Sequence, residues 1–382
     1  MRADFEYNFK SILPIPGKAL KAKRIWVAGI FILGSFILYD FLTFLAVIID
    51  GRDFGYFWSI YGLFPLVWLQ FSSGISQAIY MAGIAVSGFV LAVGMIALAV
   101  FDFEDMRGNP FLSWPKAVGF AAGRIGQLFR SWAAILVFLA FIVILALLAG
   151  LLTRIPVVGE VIFGLFFFFP AFIVALFTVL IIFVFMLSFL IMPVAVAADR
   201  RGESFSSILE TFNTVTREPW RWSLYTAYSV LAAKVGSFVL AYFAFRAVQF
   251  LRLTIGLTGG AGVDRLIASG ADHLPLSGAL VDFTTGLMPG LGFGFDITGL
   301  GGGVIVHGPG SFLTAISLFL IFVMIWAYVI SIIVSGQARA YAVIKFRREG
   351  YRIDEEASFF ESATEFGLEP DSDETNKTDD IK

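Results

Sequence analysis

The chain has 382 residues, 58% of them hydrophobic and 15% charged, with 44 Phe; a soluble domain carries about 25% charged residues. A formal net charge of −2 gives no electrostatic footprint for nucleic acid. The absence of Cys excludes disulfides, thiolate metal sites and Cys nucleophiles. What remains is a polytopic membrane protein: several charge-free runs reach the roughly 20 residues that a helix needs to cross the hydrocarbon.

Residues 1–24 form a mixed segment too long to precede a cleaved signal core, so the first apolar run reads as a retained signal anchor. Within it Phe5, Phe9, Ile12 and Leu13 mark an apolar stripe that Pro14 and Pro16 interrupt. Six spans are expected, at residues 25–49, 74–100, 133–152, 161–192, 222–245 and 312–335. Residues 57–71 are apolar but short and hold Pro65, so they read as an outer interfacial segment. The fourth span exceeds one bilayer and contains Pro170, which implies a kinked helix or a short re-entrant piece.

Basic residues alternate between the connecting segments. Lys10, Lys18, Lys21, Lys23 and Arg24 precede the first span, and Arg52 stands alone after it. Arg107, Lys116, Arg124 and Arg130 form the next rich segment, followed by Arg154 alone. Arg200, Arg201, Arg217 and Arg221 then precede the fifth span, and Arg339, Lys345, Arg347 and Arg348 follow the sixth. By the positive-inside rule both termini face the cytoplasm, in the inner membrane of a bacterial cell.

Each span that starts at the cytoplasmic face follows an amphipathic stretch, basic residues and tryptophan. In the third unit Phe205, Ile208, Leu209, Phe212 and Val215 make one helical stripe. Val118, Ala121, Ala122, Ile125, Leu128 and Phe129 repeat it in the second. The expected fold is therefore an all-α bundle of six spans with interfacial elbow helices, arranged as three elbow-plus-hairpin units. Trp26, Trp132, Trp220 and Trp222 are the expected interfacial anchors. Lys23, Arg24, Arg130, Arg217 and Arg221 are the expected contacts to anionic lipid headgroups.

Two ionisable residues fall inside spans, where charge is costly. Asp40 lies 14 residues after Trp26 and Lys234 lies 14 after Trp220. At 1.5 Å per residue both reach about 21 Å beyond their tryptophans, so they are expected to pair. Two readings of the pair stay open: a fixed bridge that orients the bundle, or a coupling site for protons or an ionic substrate. In a third arrangement they never meet and Lys234 snorkels outward.

Residues 256–310 hold 16 glycines, which favours turns over helix and suggests a lid over the outer face. His273 and His307, with Asp264, Asp272, Asp282 and Asp296, also lie here, but without the spacing of a metal site. No phosphate loop follows the glycines. No catalytic, cofactor or metal motif emerges anywhere, so the expectation is a non-enzymatic protein with no cofactor. Residues 353–382 are acidic and polar, an expected tail that is mostly disordered. The membrane domain between the two terminal segments spans residues 25–352.

The passage Pro193–Val194–Ala195–Val196, Asp199–Arg200–Arg201–Gly202, the amphipathic stretch from Phe205 to Val215, and Trp220–Arg221–Trp222 resembles the six-span bacterial inner-membrane proteins of the YciC type. It is also similar to the membrane domain attached to some glycerophosphodiester phosphodiesterases. Gly336–Gln337–Ala338–Arg339–Ala340–Tyr341 fits the same pattern. The resemblance implies a six-span fold and no particular chemistry; the glycine-rich loop departs from it, and no phosphodiesterase barrel is present. The functional expectation is membrane organisation, lipid handling or assembly of a membrane complex, with lipid, a membrane-protein partner or a second copy as partners. The alternative is a small-solute or ion transporter that uses Asp40 and Lys234.

Overall fold

The computed structural model describes residues 5–65, 68–272, 278–287, 308–356 and 358–360. These residues are almost wholly helical, with no strand among them. Six helices are long and apolar enough to cross a membrane: α2 (Ala22–Ile49), α4 (Gly74–Met106), α6 (Ile125–Leu152), α8 (Phe168–Ala198) with the turns that lead into it, α10 (Pro219–Gly259) and α13 (Pro309–Glu349). Short helices join them: α1 (Ile15–Ala19), α3 (Phe54–Tyr61), α5 (Trp114–Gly123), α7 (Val158–Ile162), α9 (Ser204–Arg217), α11 (Ala261–Asp272) and α12 (Gly278–Leu287). The six-span all-α expectation therefore holds.

Helix α13 is the hub. It packs against α10, α2, α4 and α11, while α2 and α4 run along each other as a hairpin. Small residues permit the closest approaches. A Cβ at Gly336 would fall 1.9 Å from the Ser229 Oγ of α10, and one at Gly94 would fall 2.6 Å from the Phe31 ring of α2. Helix α6 is the opposite case: only 6% of its most apolar window is buried.

All but α2 run six or more residues beyond the expected spans: α4 to Met106, α8 to Ala198, α10 to Gly259 and α13 to Glu349, with α6 starting at Ile125. The fourth span is one continuous rod, residues 158–198. Residues Phe163–Phe167 form a π turn in which Phe168 N–H donates to Phe163 O. The wider turn shifts the hydrogen-bond register just before Pro170, which has no N–H to donate. At the far end Asp199 ends α8: its carboxylate accepts from the N–H groups of Arg201 and Glu203 at 3.1 and 2.8 Å. Gly202 closes the turn at φ +73°, where a side chain would be strained. The acidic–basic–basic–Gly passage is thus a helix-to-elbow turn.

The glycine-rich region corrects the sequence reading in part. Gly256, Gly259, Gly262, Gly270 and Gly286 all lie inside helices, because intermittent glycines cost a helix only about 1 kcal/mol each. Helix α11 lies on α13, with Gly270 opposite Thr314. His273, His307 and Asp296 lie outside the described residues.

The start of the acidic segment is docked on the bundle. Ile353–Glu355 form a 3-10 turn and Ser358 to Phe360 run on past the end of α4. Residues 361–382 lie outside the described residues.

Candidate functional site: a buried ionic network at one end of the bundle

The predicted pair does not form. Asp40 is buried, and its Oδ1 accepts from the Phe64 N–H at 3.0 Å. Beside it Tyr39 donates to Pro65 O at 2.6 Å. Together these hold the loop after α3 against α2, with Phe64 at φ +58°. Lys234 is exposed on α10. Helix α13 packs against both α2 and α10, and residue spacing along two helices does not fix which face each residue occupies.

Buried charge concentrates instead at the end of the bundle where the N-terminal segment meets the end of α13 and the turn after it. Arg24 opens α2 at 1% exposure, and its Nη1 donates to Asp102 Oδ2 of α4 at 2.6 Å and to Ser335 Oγ of α13 at 2.7 Å. Ser335 in turn donates to the same Asp102 oxygen at 2.7 Å. Arg339, one turn further along α13, donates to Ser11 O at 2.6 Å and faces Asp102 and Asp105 at 3.8 and 3.7 Å. Asp105 also takes Lys18 and Lys21 at 2.6 and 3.1 Å. The first, second and sixth spans and the N-terminal segment are thereby bound to one another. A charge at such a site is tolerable only because each one is paired and hydrogen-bonded.

A second cluster adjoins it. Arg107 pairs with Glu104 at 3.0 Å and with Glu356 at 2.6 Å, and Glu356 also reaches Arg200 at 3.3 Å. Ser358 Oγ and the Phe359 N–H both donate to Glu104. The Phe359 ring lies 4.2 Å under the Arg107 guanidinium, a cation–π contact. On the opposite flank Glu210 of α9 takes Lys345 and Arg348 of α13 at 3.5 and 2.7 Å. Gln127 of α6 donates to Asp199 and to Ser207 of α9 at 2.7 and 2.9 Å.

Tyr7 donates to Asp354 at 2.5 Å and stacks on Phe346. Burial alone would raise the Asp354 carboxyl, but the hydroxyl of Tyr7 and the guanidinium of Arg352 hold it below its ordinary value.

These contacts reassign several expected lipid contacts. Arg24 is sealed inside the network and unavailable to headgroups. Trp222 is buried: its indole donates to Gln337 of α13 at 2.9 Å, and Gln337 donates on to Thr226. Lys23 gives its ammonium to Pro110 O and Leu112 O. Trp132 is half-buried between Phe89 and Phe189. Trp26 and Trp220 stay exposed, at 60% and 82%. So do Arg130, Arg217 and Arg221, the last in an i,i+3 pair with Glu218.

Sequence reasoning passed over Asp102 and Glu104 because they lie in the last turns of α4, where charge is unremarkable, and Ser335 and Arg339 because they lie inside α13, where no side-chain pattern marks their partners. The available signal was two carboxylates, Asp102 and Asp105, within one turn of an apolar run. Among the described residues no group of three or more His, Asp or Glu is placed to hold a metal.

The fold and this site define a multi-pass helical membrane protein whose charged groups lock helix ends together. No family model, curated protein or solved structure matches the chain.

Proposed function

We propose that the protein is a non-enzymatic scaffold of the bacterial inner membrane, with both termini cytoplasmic, that binds anionic lipid along its elbow helices. The carrying observation is the orientation of α9. It turns the small polar residues Ser207, Thr211 and Thr214 inward, spaced at i, i+4 and i+7. Phe205 and Leu209 are left exposed, and the chain continues into exposed Arg217, Trp220 and Arg221. Ile208, Phe212 and Val215 of the stripe pack on the bundle, so the outward surface is Phe205 and Leu209 followed by arginines and an indole, which suits an anionic bilayer surface. The buried network supports the same reading, because its charges connect helices to one another. Transport through Asp40 and Lys234 loses its basis once the two are apart. The largely uncovered α6 is the face that a membrane-protein partner or second copy would use.

The test is lipid binding in nanodiscs that contain phosphatidylglycerol in phosphatidylcholine. Arg217→Gln with Arg221→Gln should weaken enrichment of the anionic lipid by about 2 kcal/mol, at roughly 1 kcal/mol per charge. Equal enrichment in wild type and double variant overturns the reading.

A further inference from the structure

Helix α12 lies beside the middle of the spans. Its Leu280 and Thr284 are buried and share one cavity wall with Ile32 and Phe36 of α2 and Trp326 and Ile330 of α13. Phe36 lies about 18 Å along α2 from Arg24, and Ile49 ends that helix about 20 Å further on. A hydrocarbon core of about 30 Å therefore includes the level of α12. Asp282, two residues from both Leu280 and Thr284 and so on the other side of α12, is exposed. Lys234 of α10 is exposed at a similar level. A Cβ on Gly236, two residues away, would meet Tyr328 and Ile332 of α13, which alternate with Trp326 and Ile330. Among the described residues neither Asp282 nor Lys234 makes an ion pair or a side-chain hydrogen bond.

A charge that faces hydrocarbon is costly, and an opposite charge at the same depth relieves it. One chain cannot bring these two together. Tyr328 follows Trp326 by two residues, about 200° round α13, so α10 and α12 flank that helix on opposite sides. Asp40 is no substitute for Asp282, because it is buried on the Phe64 N–H. We propose that copies of this chain associate head to tail in the membrane, Asp282 on α12 of one copy pairing with Lys234 on α10 of the next. Two α10 faces brought together would oppose two ammonium groups, and two α12 faces would oppose two carboxylates. The surroundings suit the contact. Lys234 stands among exposed Leu231, Val235 and Phe238. Asp282 stands beside exposed Phe283 and Gly286, and a Cβ on Gly286 would meet nothing within 4 Å, which lets a neighbouring helix come close. Because the two faces are different and opposite, the contact is heterologous and repeats into a ring or an open row. It uses neither α6 nor the elbow helices, and it stands independently of the lipid surface proposed for them.

The test is energy transfer between full-length chains in phosphatidylcholine vesicles, with donor or acceptor dye on Lys116→Cys, an exposed position. Transfer should rise with the protein-to-lipid ratio and saturate. Lys234→Asp alone and Asp282→Lys alone should each weaken association about a hundredfold, since each leaves like charges facing one another at mid-depth. A mixture of the two single variants should regain transfer, because each supplies the charge that the other lacks; misfolded chains would not recover in this way. The double variant should associate with itself again. A second measurement keeps both charges in place: a chain with Val235→Cys and Gly286→Cys, treated with a short bis-maleimide, should form a ladder of cross-linked copies, while either cysteine alone should not. A wild-type chain that stays monomeric, charge reversals without effect, no recovery on mixing, or no ladder from the double-cysteine chain overturns the proposal.

Discussion

Arg24 and Asp102 are 1% and 0% exposed, so each depends on the other's charge. Removing one partner from such a pair costs about 3–5 kcal/mol, because the survivor stays buried and uncompensated. Arg24→Met should therefore lower stability by that amount in thermal unfolding, and Asp102→Leu in the same chain should recover much of it. Asp40→Asn should cost far less, since an amide oxygen still accepts from Phe64 N–H; a collapse on the scale of Arg24→Met would contradict the structural role assigned here. At this scale the sequence was legible only in part. Asp40 was conspicuous inside an apolar run, and its burial is real, but its partner is a backbone N–H that no side-chain pattern marks. Arg24 looked like a headgroup contact because a basic residue before a span usually is one. Its bonds to Asp102 of α4 and Ser335 of α13 turn it inward.

At the scale of elements, the α10–α13 contact rests on Gly336 facing Ser229. Gly336→Ala places a methyl within 1.9 Å of the Ser229 hydroxyl, and overpacking of this kind costs typically about 1–3 kcal/mol. Ser229→Gly in the same chain should restore the thermal midpoint; no rescue would mean that the contact is not limiting. The docked segment after α13 responds to acid. With its carboxyl held below the ordinary value, Asp354 contributes fully above about pH 4. That share is lost as pH falls through the lower folded value. Asp354→Asn should flatten this part of the acid unfolding profile and leave stability at pH 7 and above without further pH dependence from this group. Element type and span number were readable because a helix apolar on every side has few homes other than lipid or a large core. The continued helix through Gly256 and Gly259 was not readable. Local glycine preference is a weak term, about 1 kcal/mol at each position.

The whole molecule lends itself to a direct test of orientation, because a chain with no Cys accepts single cysteines without background. Lys116→Cys and Arg347→Cys, both exposed, should react with a membrane-impermeant maleimide only in inverted vesicles. Glu160→Cys, exposed at the other end of α6 and α8, should react in intact cells. The reverse pattern would invert the proposed topology. Charge alternation was read by counting residues along the chain. The central position of α13 had no such trace, because which helix occupies the middle depends on small faces such as Gly336 and Ser335 meeting neighbours far away in sequence.

That distance has a consequence for how the protein is made. Ser335 joins Asp102 across 233 residues and Arg24 across 311. During synthesis the first hairpin must therefore wait, with its arginine and aspartate lacking their serine and second arginine, until the last helix has left the ribosome. Arrival of α13 is the event that seals the charges. A chain that stalls earlier leaves Arg24 and Asp102 without Ser335 and Arg339.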